Sequence, residues 1–159
     1  MPGISPSQKQ AIAERWLAVA LETYPAQSRQ FLEGEKDPFR NPVGQSLRTQ
    51  IPKLVDELFG DMDPQRLGQA LEELVRLRAV QQFTPREALG FLFLLKPICR
   101  EELPADAQAR AELEDRIDEI ALVGFDIFVR CREQIYEIRA NEAKRRVALL
   151  ERMNPEAGR

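Results

Sequence analysis

The chain has 159 residues, 43% of them hydrophobic and 31% charged, with a net charge of −3. That length suits one domain that buries roughly 70% of its unfolded surface, and the composition belongs to a globular chain, not a disordered one. The slight acidity offers no broad face to nucleic acid or anionic lipid, and the lack of any histidine excludes Ser-His-Asp and Cys-His catalysis, His-ligated zinc and a haem on a proximal His.

The amino terminus has no charged region followed by an apolar run, so no signal peptide is expected. No stretch reaches the length of a bilayer span. The expectation is a cytoplasmic protein without membrane insertion. Ser5 or Ser7 starts a first helix, with Pro6 near its first turn. Ile12, Trp16, Val19, Ala20 and Thr23 recur on one face of it. Tyr24-Pro25 ends or bends that helix. A short helix over roughly 26–33 carries Phe31 and Leu32.

Asp37-Pro38-Phe39-Arg40-Asn41-Pro42-Val43-Gly44 reads as a turn and a helix start, with Asn41 as cap and Pro42 at the first position. Val43, Leu47, Ile51, Leu54, Val55 and Leu58 follow as one apolar stripe, kinked by Pro52 and ended by Gly60. Asp63-Pro64 opens the next helix. Leu67, Leu71 and Leu74 share a face with Arg78 and Gln81. An arginine on a buried face needs a charge partner or carbonyls. Either Arg78 satisfies carbonyls at a helix C-terminus, or it marks a ligand pocket near Trp16, Phe39, Val43, Arg78 and Gln81, with Asp126 as a conceivable partner.

Thr84 to Arg100 is the predicted centre. Thr84, Pro85 and Glu87 make a capping box with proline at the first position, and Ala88 to Leu95 is apolar without a break. A helix apolar all round is buried. From Asp106 to about Glu151 only Gly124 weakens a helix some 65 Å long. Ile117, Gly124, Phe128, Cys131, Ile135 and Ile138 follow a heptad-like spacing and form a candidate dimer seam. Between Ile120 and Val129 apolar residues wrap most of the circumference, so one face can pack on the domain and another on a partner. Cys99 and Cys131 lie in apolar patterns and read as buried hydrophobes. Lys144-Arg145-Arg146 is too small to indicate nucleic-acid binding. There is no Gly-rich phosphate loop and no CxxC. No metal, no cofactor and no enzymatic activity is expected.

The ordered set Trp16, Tyr24-Pro25, Phe31-Leu32, Asp37-Pro38-Phe39-x-Asn41-Pro42-Val43-Gly44, Arg78-Ala79-Val80-Gln81-x-Phe83-Thr84-Pro85 and Phe91-x-Phe93-x-Leu95-Lys96 resembles the amino-terminal domain family of the RsbT co-antagonist RsbRD, over about residues 8–140. The resemblance implies an all-α, globin-like bundle that binds no haem, often dimerises, and acts as a sensory or interaction module in bacterial stress signalling. The expected architecture is a single domain over 1–159 of about six helices, with a buried central helix at about 84–100 and a long C-terminal helix at about 106–151. The expected role is that of a stand-alone, non-enzymatic regulatory domain, a homodimer that acts on a regulatory protein partner. A small-molecule sensor with a pocket near Arg78 is the alternative.

Overall fold

Proline sets the start of four helices. Its missing N–H costs nothing in a first turn, where no intrahelical acceptor exists. In the computed structural model, which describes residues 3–104 and 106–154, α1 (Pro6–Glu22), α3 (Pro42–Phe59), α4 (Pro64–Val80) and α5 (Pro85–Phe93) all begin this way. A side chain caps each from the preceding position. Ser5 and Gln8 form a reciprocal box, Asn41 accepts from the Gly44 N–H at 2.9 Å, and Asp63 accepts from Arg66 N–H at 2.9 Å. Thr84 and Glu87 form the second box. The remaining elements are α2 (Ala26–Gly34), α6 (Leu95–Glu102) and α7 (Ala107–Met153), and the described residues contain no strand.

The predicted central helix is one helix broken at Leu94. Pro97 cannot donate to the carbonyl four residues earlier, and the chain rewinds as α6 after a single turn residue. Ala88, Leu89, Phe91, Leu92 and Leu95 are buried as expected. Phe93 and Leu94, at 48% and 40% exposure, face outward. The run is therefore apolar all round without being buried all round. Pro52, in contrast, lies inside α3 without ending it.

One core joins the seven helical segments of the described residues. α7 lies across α4 and α5, α3 packs on α1 and α4, and α1 reaches α6. Trp16, Ile51, Leu71, Leu92 and Ile117 are fully buried at the centre. Trp16 stacks on Phe91 with ring centroids 5.9 Å apart and donates its indole N–H to the Phe91 carbonyl at 2.8 Å. Phe91 lies in the last turn of α5, where carbonyls lack intrahelical donors.

The α2–α3 corner shows how closely backbones approach. Asn41 is buried and donates its amide to the carbonyls of Leu32 and Glu35, both at 2.9 Å, while its oxygen caps α3. A Cβ on Gly44 would stand 2.8 Å from the Leu32 carbonyl and 2.3 Å from the Asn41 amide. Gly44→Ala should therefore lower stability by about 1–3 kcal/mol through displacement of the Asn41 cap. Urea denaturation checks this, and a loss below a few tenths of a kcal/mol would contradict the packing described.

Candidate functional site

The corner between α4 and α5 is built from the sequence Arg78-Ala79-Val80-Gln81-Gln82-Phe83-Thr84-Pro85. Gln82 takes the left-handed conformation with φ 64°. Its N–H reaches the Ala79 carbonyl, and the Phe83 N–H reaches the Arg78 carbonyl at 3.3 Å. These are the two bonds of a Schellman C-cap, which normally brings the side chains at its two ends together. Here the ends are Arg78 and Phe83, and the guanidinium carbon lies 5.4 Å from the Phe83 ring centroid. Thr84 follows at once as the cap of α5. The motif is thus a complete helix-to-helix joint.

Arg78 is 1% exposed. Among the described residues no carboxylate pairs with it. Its guanidinium sits among three rings, 4.4 Å from the centroid of Phe91, 4.9 Å from Tyr24 and 5.4 Å from Phe83. Nη1 donates to the Glu87 carbonyl at 3.1 Å, and Nη2 donates to Thr23 Oγ1 at 2.9 Å and to the Ala20 carbonyl at 3.4 Å. Burial pushes the Arg78 pKa down from its usual value, and burial pushes that of Tyr24 up. Guanidinium nonetheless stays protonated in proteins. Ring quadrupoles and carbonyl dipoles stabilise the charge in place of an anion. The carbonyls belong to other helices: Ala20 to the last turn of α1 and Glu87 to the first turn of α5.

The six residues predicted for a pocket do not converge. Trp16 and Arg78 touch the same Phe91 ring in the core. Val43 and Gln81 line a surface cleft of about 420 Å³ with Tyr24 and Phe31. Phe39 is 96% exposed, and Asp126 is exposed on α7. A separate groove of about 420 Å³ runs between α1 and α3 over Ala13, Leu17, Ile51, Pro52 and Val55, with the Lys9–Asp56 ion pair (3.0 Å) at its rim. Sequence reading paired Arg78 with Asp126 because an anion is the usual partner of a buried cation. The rings of Tyr24, Phe83 and Phe91 take that place.

The predicted dimer seam is also placed differently. Ile117, Gly124, Phe128 and Cys131 are buried inside the chain's own core. Leu92 and Leu89 of α5 close over Gly124, where an added Cβ would meet them at 3.0 and 3.4 Å. Ile135 is half-buried against that core, and Ile138 is 59% exposed. A heptad-like spacing marks a stripe that must be covered, but not by which chain; here α4 and α5 cover it. The buried Cys99 thiol is pushed up to about 12 by desolvation. The exposed apolar residues include Leu122, Phe125, Val129 and Tyr136 on α7, at 37–62% exposure, and Phe93 and Leu94 at the junction of α5 and α6. Their signal in the sequence was the apolar wrap between Ile120 and Val129.

The family model of the RsbT co-antagonist protein rsbRD N-terminal domain matches residues 10–143. The chain belongs to this family. An uncharacterised protein of Archaeoglobus fulgidus is 26% identical over 94 residues, which is 58% of this chain and 62% of that protein's length. No solved structure matches. The RsbRD N-terminal domain thus begins within α1, takes in the Arg78 corner and both faces of the packed part of α7, and leaves 144–153 beyond the match. No helix among the described residues is long and apolar enough to cross a membrane.

If Arg78 is the structural hub of the corner, Arg78→Ala should cost about 3–5 kcal/mol, from the cavity and the lost hydrogen bonds and ring contacts together. Arg78→Lys should cost about 1–3 kcal/mol, because one ammonium cannot reproduce the planar fork. Urea titration measures both, and variants as stable as the wild type would show that Arg78 is not holding the corner.

Proposed function

We propose that this domain is a non-enzymatic regulatory module of bacterial signalling, cytoplasmic, which acts by protein–protein association as a homodimer and through a regulatory partner protein. The family membership supports the signalling role, since the family's description ties it to co-antagonism of RsbT. The observation that carries the association is the outer face of α7. Leu122, Phe125 and Val129 stand in one row at exposures of 62%, 48% and 37%. Phe93 and Leu94 flank the row where α5 gives way to α6. Lys96 stands 5.9 Å from the Phe93 ring centroid and pairs at 2.7 Å with Asp118, one turn before Leu122 on the same row. Large apolar side chains grouped at the surface mark an interaction site. The chain itself supplies the rings around Arg78 and the acceptors for Nη1 and Nη2. Nε alone has no partner among the described residues, and no cavity among them opens on it, which weighs against an internal small-molecule pocket.

Light scattering should give a particle of twice the 18.2 kDa chain mass. The double variant Leu122→Asp, Val129→Asp should give a monomer with unchanged helical circular dichroism. Both sites are on the surface, so loss of folding is not expected to obscure the result. A wild-type chain that stays monomeric at high micromolar concentration would contradict the dimer. A double variant that stays dimeric would contradict the interface.

A further inference from the structure

α7 runs for 47 residues, about 70 Å at 1.5 Å per residue. Beyond Ile135 every residue from Tyr136 to Asn154 is exposed. The last 27 Å or so of the helix therefore projects from the body with none of the described residues burying it. A bare helix of that kind is marginal in water unless a partner packs on it. Five of its apolar residues keep a spacing of four and three, Tyr136, Ala140, Ala143, Val147 and Leu150, with Ile138, Ala148, Leu149 and Met153 off that row. This is the d-a-d-a-d register of a two-stranded coiled coil. The row continues the one on the body, where Leu122 and Val129 lie two and one heptads before Tyr136. Asp126 and Glu133 interrupt it at the intervening a positions, and the flanking Arg132 is engaged within the chain, donating to the Phe83 carbonyl and standing over the Phe128 ring.

We infer that α7 pairs with α7 of a second copy as a parallel two-stranded coiled coil over residues 136–150, in the register with Ala140 and Val147 at a, and Tyr136, Ala143 and Leu150 at d. This rests on the dimer reading above and adds its orientation and register. Two observations select a second copy in parallel alignment. The aromatic shoulder of Phe93 and Phe125 then meets its own counterpart, whereas an antiparallel pair sets it against a tip flanked by Lys144, Arg145 and Arg146. Charges at the flanking positions also fit. In the parallel register Arg146 faces Glu151 of the second copy, on both sides of the seam. One rung opposes the pairing: Arg139 faces Lys144 of the second copy. The parallel coil is thus weakened at one defined level. In an antiparallel pair the same Lys144 would instead face Glu137, a favourable contact.

That difference gives the test. Sedimentation equilibrium of the full chain measures the dimer Kd of the wild type and of Lys144→Glu, a change on an exposed helix surface. In the parallel coil the substitution turns two like-charged rungs into two opposite-charged ones, and the Kd should fall about fivefold to tenfold at low salt. The gain should shrink at high salt. A weaker Lys144→Glu dimer would overturn the parallel orientation, and an unchanged Kd would overturn the coil itself; in both cases the dimer reading stands. A wild type that is monomeric at high micromolar concentration overturns both.

Discussion

A helix ends with carbonyls that have no donor in the helix itself, and this fold brings many such ends into its interior. Side chains from neighbouring helices satisfy them. Arg78 and Arg29 reach the end of α1, and Arg48 and Asn41 reach the end of α2. Arg116 donates to the carbonyls of Leu58 and Gly60 at the end of α3, and Trp16 serves the last turn of α5. The packing of one helix on another is therefore also the capping of one helix by another. Arg78 is the extreme case because it carries a full charge into the core without an anion.

This arrangement explains what the sequence disclosed and what it concealed. Caps at Ser5, Asn41, Asp63 and Thr84 were legible because a cap is local, acting within three residues. Periodicity placed most of the core for a similar reason. Arg78 was legible as an anomaly on an apolar face, but its partners lie on three other elements. Ala20, Thr23, Tyr24 and Phe91 come to it only through tertiary packing. The break at Leu94 was signalled by Pro97, while the exposure of Phe93 and Leu94 depends on how α5 meets α7.

The last helix shows a different limit. Two apolar rows run along α7, and spacing alone does not say which is inside. Gly124 is the telling residue. A glycine in a long helix costs stability, and here it lets Leu89 and Leu92 close on the backbone. The row through Gly124 is therefore the intramolecular one, and Leu122, Phe125 and Val129 remain on the outside. The aromatic Arg78 corner holds α1, α4 and α5 together, and α7 carries its outer row away from it.

Hydrogen–deuterium exchange on the full chain at low and high protein concentration tests most directly whether α7 has one face for its own body and one for a second copy. The account predicts that amides of 113–131 exchange slowly at both concentrations, while those of 136–150 become protected only as concentration rises. Exchange over 136–150 that is fast and independent of concentration would contradict it.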